Sequence, residues 1–279
     1  MPRSLESVQC LSARLALAAA LALSTMECAA PGNGTDRGSS GEPQTSRDSR
    51  AAHAAGRLVA RPRANGTIAR GGVGVHRIGG GSARGGIIVV PASYDSARPA
   101  RLMLLLHGAG GSGEAIRRRL SPLADSLSMI VIAPDSRGST WDFMRGPFGP
   151  DVELIDSMLQ TTFDRYRVDS SGVIIAGFSD GASYALSLGM TNGTLFSRIV
   201  AFSPGMDGVI AALGRPRIFV SHGSRDQVLA IEQTSQRIVP RLRARGYDVS
   251  YREFDGRHEI PADVVREAVR WLEGAPTAP

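Results

Sequence analysis

The chain has 279 residues, 42% of them hydrophobic and only 5% aromatic, with a formal net charge of +6. All 32 basic residues are arginine. Nine of them, against five acids, fall in residues 1–71, which leaves 23 arginines against 21 acids for the rest of the chain. A main body so close to neutral speaks against nucleic-acid binding, and the length fits one large domain or two small ones.

Arg3 and Arg14 precede the apolar run Leu15-Ala-Leu-Ala-Ala-Ala-Leu-Ala-Leu23, which is too short to span a bilayer but has the length of a signal-peptide core. Small residues follow at Ala29 and Ala30, so residues 1–30 are predicted to be a signal peptide and the protein to be exported: periplasmic, extracellular or lipid-anchored at the cell envelope. Cys28 could tether it to a membrane by lipidation. Glu27, not being small, fits a lipobox poorly, and lipid attachment stays open. Residues 31–71 are rich in Gly, Ser, Arg, Asp and Pro with almost no aliphatic pattern, and they read as a flexible tether. Both cysteines, Cys10 and Cys28, lie before residue 31. A disulfide framework and a cysteine nucleophile are therefore excluded from the remainder, and the five scattered histidines show no metal-ligand spacing.

From residue 72 to 279 a single domain of alternating strands and helices is expected. Aliphatic runs at 87–91, 102–107, 129–133 and 172–176 read as strands, as do 199–202, 217–221 and 249–254. Helices are expected over 114–127, 151–163 (an apolar stripe at 152, 154, 155, 158, 159 and 163, capped by Asp151), 182–190, 231–245 and 263–273. Near-continuous aliphatic strands between helices mean an α/β fold with a mostly parallel sheet covered on both faces.

Gly177-Phe178-Ser179-Asp180-Gly181 sits where the strand at 172–176 meets the helix at 182–190. A serine on so sharp a turn is held in a strained conformation with its hydroxyl above the sheet edge. A glycine on either side lets strand and helix approach. Downstream, Ile218–Ser221 runs into His222-Gly-Ser-Arg-Asp226, and the strand at 249–254 runs into Asp255-Gly-Arg-His258. Upstream, the strand at 102–106 opens into His107-Gly-Ala-Gly-Gly-Ser-Gly113, whose backbone amides are free to point at an oxyanion.

In these motifs the chain resembles the α/β-hydrolase superfamily, in particular small bacterial carboxylesterases and polyhydroxybutyrate-depolymerase-like esterases. The resemblance covers about residues 73–275. It implies the α/β-hydrolase fold and a triad in the order serine, acid, histidine: Ser179 as nucleophile, Asp226 as acid and His258 as general base, with Asp207 as the fallback acid. The oxyanion hole would use the amides of Asp180 and, from the glycine-rich loop, Ala109. The carboxylate of Asp180 would point to solvent or cap its helix. His107 and His222 read as packed, loop-supporting residues, and Arg117-Arg118-Arg119 as a solvated helix face. Only about a dozen residues separate the strands at 199–202 and 217–221, where many members insert a lid, so no lid domain is expected. The loop 136–150 carries Trp141, Phe143, Met144 and Phe148. In the resembling esterases a tryptophan-bearing loop here walls the cleft, which makes Trp141 a candidate substrate contact; the alternative is that the loop tucks its aromatics onto the core.

The function implied is a secreted or surface-tethered serine esterase acting on small-molecule or polymeric carboxylic esters through an acyl-enzyme, with no cofactor and no metal. A polyester or feruloyl-type esterase is the neighbouring alternative. A catalytically silent hydrolase fold used as a binding protein is the alternative of another class.

Overall fold

The computed structural model describes residues 44–63, 71–78, 84–209 and 211–274. The predicted signal peptide and both cysteines lie outside the described residues. Among the described residues no helix is long and apolar enough to cross a membrane.

Eight strands form one sheet: β1 (Gly74–Ile78), β2 (Gly86–Val90), β3 (Ala100–Leu106), β4 (Ile130–Pro134), β5 (Val168–Phe178), β6 (Arg198–Phe202), β7 (Arg217–Gly223) and β8 (Val249–Phe254). Their order is β1-β2-β4-β3-β5-β6-β7-β8. The pairs β1·β2 and β2·β4 are antiparallel and the other five are parallel. This is the mostly parallel α/β sheet expected from the sequence. The period of two along each strand divides the core. Leu102, Leu104 and Leu106 of β3 join one apolar cluster, while Met103 and Leu105 join the other.

The first cluster is closed by α4 (Pro150–Arg165), α5 (Asp180–Thr191) and α6 (Ser235–Ala244), the second by α2 (Gly113–Arg119), α3 (Ser121–Ser126) and α7 (Ala262–Glu273). The single helix expected over 114–127 is two helices. Pro122 has no N–H to continue the α2 ladder and starts α3 in its first turn. Strand β1 was not anticipated, because Gly-Val-His-Arg-Ile at a sheet edge is mostly exposed and carries no apolar run.

The expectation of a flexible tether through residue 71 is corrected for residues 44–63. Gln44–Ala54 is a helix, α1, and the segment after it lies on the domain with Leu58 and Ala60 each 2% exposed. Too few apolar residues occur there to signal packing, but two distant polar side chains secure the backbone. Asp156 of α4 accepts from the amides of Val59 and Ala60 and bonds His53 Nε2, each at 2.8 Å. Asn192 accepts from Leu58 N at 2.9 Å and donates to Gly56 O at 2.8 Å. Gly56 has φ +72°, and a Cβ there would come within 2.4 Å of the Phe148 ring, so the turn leaving α1 requires glycine.

Asp151 does not cap α4 as expected. The cap comes from Asp142, whose Oδ2 accepts from Gly149 N and Asp151 N at 2.9 Å each and whose Oδ1 accepts from Tyr184 Oη. Asp151 is buried and accepts from the amides of Arg137 and Asp142. Burial raises its carboxyl above the ordinary range despite those two bonds.

Candidate active site

The site forms where the parallel strands end. Ser179 follows β5 with φ 57° and ψ −122°, a conformation that costs a non-glycine residue on the order of 1–3 kcal/mol. Packing on both sides holds it there. A Cβ on Gly177 would lie 2.2 Å from Gly181 O, and one on Gly181 would lie 2.3 Å from Leu106 O. Neither glycine can be replaced without separating α5 from the strands, which is why the elbow was legible as a spacing pattern. The amide of Ser179 donates to Phe202 O at 2.9 Å and ties the turn to β6.

His258, in the loop after β8, has Nε2 2.9 Å from Ser179 Oγ and Nδ1 2.6 Å from Asp226 Oδ2. Asp226 follows β7 and is buried. Its other oxygen accepts from the amides of Val228 and Leu229, both at 2.8 Å. Burial pushes the Asp226 carboxyl up, but the Leu229 amide, the His258 imidazole and the Val228 amide outweigh it and hold the group below the ordinary carboxylate range. Asp226 is therefore ionised at neutral pH. Phe178 stacks against the His258 ring at 4.7 Å between centroids. Of the cluster 117–119, Arg117 and Arg118 pair with Glu114, and Arg119 lies 4.7 Å over the other partner of this stack, Phe178.

The structure thus brings together Ser179, Asp226 and His258. Asp207, the fallback acid, instead lies in an ion pair with Arg241 and Arg245, away from any histidine bond. Asp180 is half-buried and makes no cap bond to its own helix; its Oδ2 accepts from Thr140 Oγ1 at 2.5 Å.

The loop after β3 is laced to the loop after β4. His107 Nδ1–H donates to Gly108 O, and its bare Nε2 accepts from Ser136 N at 3.0 Å. Gly110 N donates to Ser139 O and Gly113 N to Asp135 Oδ1. Burial, chiefly, lowers the His107 pKa and keeps it neutral in this supporting role. Gly108 lies so close to the nucleophile that a Cβ there would be 3.1 Å from Ser179 Cβ. Among the described residues no carbonyl accepts from the amide of Ala109, nor from that of Asp180, the first residue of α5.

Trp141 is not on the cleft. It is 0% exposed, lies between the rings of His107 and Tyr184, and donates from Nε1 to His107 O at 2.8 Å. The expectation of a direct substrate contact is corrected accordingly: the loop tucks this aromatic under the glycine-rich turn. Large apolar surface is instead exposed at Met206 (36%), after β6, and at Val228 (67%), two residues beyond Asp226. Neither was singled out in the sequence. Their position just past strands that end at the site was the available signal.

This sheet order, with a serine on a sharp turn after β5 and its partners after β7 and β8, is the α/β-hydrolase fold. Residues 151–274 match the phospholipase/carboxylesterase family. The chain is 28% identical over 170 residues to feruloyl esterase D of Neurospora crassa, a match covering 56% of this chain and 58% of that protein. It is 29% identical over 168 residues to a probable feruloyl esterase C of Aspergillus oryzae, covering 57% and 60%. The chain thus spans about three-fifths of the length of these curated relatives. They are fungal, so the bacterial part of the resemblance is not carried further. Among solved structures, a ferulic acid esterase of Anaeromyces mucronatus in complex with ferulic acid shares the fold with a TM-score of 0.53. It is 17% identical, over 74% of this chain and 90% of that one.

Proposed function

We propose that this chain is a serine esterase that hydrolyses carboxylic esters through an acyl-enzyme. The observation that carries the reading is the continuous hydrogen-bonded line from Ser179 Oγ through His258 to Asp226 Oδ2, built on a serine with positive φ. His258 takes the serine proton as the hydroxyl attacks the ester carbonyl, then returns it to the leaving alcohol. Ionised Asp226 holds the imidazole in the Nδ1–H tautomer and stabilises the imidazolium. The amides of Ala109 and Asp180, which have no acceptor among the described residues, would receive the oxyanion. Water repeats the sequence on the acyl-enzyme. The role of each residue rests on the geometry together with the resemblance.

Within this chemistry the feruloyl-type reading is favoured, because both relatives described above are named as feruloyl esterases. The exposed side chains of Met206 and Val228, which follow β6 and β7, would be the candidate apolar wall for such an acyl group. The connection between β6 and β7 is short, residues 203–216, which supports a cleft open in water with no interfacial activation.

Initial rates on p-nitrophenyl acetate and methyl ferulate, measured between about pH 5 and 8, test both points. The imidazole must be neutral to accept the proton, so kcat/KM should rise and not fall with pH. Asp226 contributes no limb there, since its depressed carboxyl is already ionised. A rate that falls with rising pH contradicts a histidine base. A rate on p-nitrophenyl acetate with none on methyl ferulate removes the feruloyl reading alone.

We also propose export, on the apolar run 15–23 after Arg14. The N-terminus of the protein purified from its host decides it: cleavage near residues 28–31 supports export, and retention of Met1 opposes it.

A further inference from the structure

His222 is the penultimate residue of β7, four residues before Asp226, and is completely buried. Its ring has three oxygen neighbours. Nδ1 lies 2.6 Å from Ser235 Oγ, while Nε2 lies 2.8 Å from Leu229 O and 3.1 Å from Asp226 Oδ2. Two of these oxygens, a carbonyl and a carboxylate, can only accept. A bare Nε2 would set its lone pair against both, so the proton sits on Nε2, donating to Leu229 O with Asp226 Oδ2 in contact at 3.1 Å, and Ser235 donates its hydroxyl to Nδ1. Burial, chiefly, lowers the His222 pKa and keeps the ring neutral.

We infer that His222 is a positioning residue for the acid of the triad, sharing with His258 the single oxygen Asp226 Oδ2. The inference rests on the reading of Ser179, His258 and Asp226 as catalytic.

The bonds close a ring. Leu229 N donates to Asp226 Oδ1, Leu229 O accepts from His222, and His222 reaches back to Asp226 Oδ2. The loop 226–229 is thereby folded around the carboxylate, and neither oxygen can rotate away from its donors. Oδ2 points at His258 because His222 and the loop leave it one orientation. The second N–H on Oδ2 also draws off part of its charge, which tempers how strongly Asp226 stabilises the His258 imidazolium. Without that N–H, the imidazolium is favoured and a higher pH is needed to free the base.

Other groups face this pair from the elements packed around it. Phe178, with Arg119 above it, comes from the β5 and α2 side. The pair Arg225–Asp255, together with Arg257 and Glu259, whose Oε1 accepts from Arg257 N, lies on the loops that carry Asp226 and His258. None of these is altered in the variants below, so a shifted profile reports on His222.

The test compares wild type with His222→Leu, which keeps bulk without the donor, with His222→Gln, whose side-chain amide N–H can replace Nε2–H, and with Ser235→Ala, which removes only the group that sets the tautomer. Folding is checked by circular dichroism and thermal melting, and kcat and KM are followed over pH on p-nitrophenyl acetate. In His222→Leu we expect kcat to fall by roughly tenfold to a hundredfold, well short of the about 10⁴-fold that follows when the catalytic histidine holds the wrong tautomer. KM should change less than about twofold, and the acid limb of kcat/KM should move up by about half a pH unit or more. His222→Gln should recover most of both effects, and Ser235→Ala should move the limb in the same direction by less. If His222→Leu does not fold, the limbs of His222→Gln and Ser235→Ala decide. A wild-type limb in every folded variant, or a loss of kcat in His222→Leu that His222→Gln does not repair, overturns the inference and leaves His222 a packing residue. Failure of the underlying reading looks different: Ser179→Ala would then keep the wild-type rate.

Discussion

Replacing Ser179 with alanine is expected to lower kcat for ester hydrolysis by on the order of 10⁵–10⁶, about 7–8 kcal/mol of transition-state stabilisation, with no loss of folding. The size follows from the geometry. Ser179 Oγ is the atom to which His258 Nε2 is bonded at 2.9 Å, and without it His258 and Asp226 have no nucleophile to serve. Losing His258 should cost nearly as much because the two act as one unit, and Asp226→Asn somewhat less. Folding should be spared, since removing one hydroxyl leaves the strained turn held by Gly177, Gly181 and the bond from Ser179 N to Phe202 O. Steady-state kinetics with a thermal melt on the same preparation check both halves. A variant that keeps more than a tenth of the wild-type rate places the chemistry elsewhere.

The second large effect is on stability. A chain beginning at Gly72 is expected to melt well below one beginning at residue 42. The truncation uncovers the core surface under Leu58, worth about 1.5–3 kcal/mol for one buried leucine. It also breaks the hydrogen bonds that Asp156 and Asn192 make to the arm, each worth about 0.5–1.5 kcal/mol net once water takes the place of the lost amides. Together these are a sizeable fraction of the stability of an ordinary domain, about 5–15 kcal/mol. Arg63 adds only an exposed pair with Asp164, which counts for little. Equal melting temperatures and equal activity for the two chains would show that residues 44–63 contribute nothing to the fold.

That segment also shows what kind of information the sequence displays. Elements that bury a continuous apolar stripe announce themselves through periodicity, as the strands around Leu102–Leu106 and the stripe of α4 do. The elbow was legible for another local reason, because two glycines flanking a serine are required by contacts within a few residues and with the adjacent strand. Asp226 and His258 could be found by chain order once the elbow was read. The arm at 44–63 has only Leu58 and Ala60 to bury, and it is held by Asp156 and Asn192, about a hundred residues away. No window of sequence contains that pairing.

Trp141 failed for a related reason. The sequence places an aromatic on a loop near the site but not the direction of its ring, which is fixed by a bond to His107 O and by stacking on Tyr184. The acidic pair Asp142 and Asp151 is equally hidden in the sequence, because their partners are mostly backbone amides that only the folded loop brings together.

The most direct test of a serine nucleophile at Ser179 is labelling of the folded protein with a fluorophosphonate, followed by peptide mass spectrometry and assay of the remaining esterase activity. A hydroxyl activated by His258 attacks phosphorus and forms a stable adduct. The predicted result is one adduct per chain, on the peptide containing Ser179, with activity lost in proportion to labelling and no adduct in Ser179→Ala. Absence of an adduct on active protein, or full activity with Ser179 quantitatively modified, would contradict it.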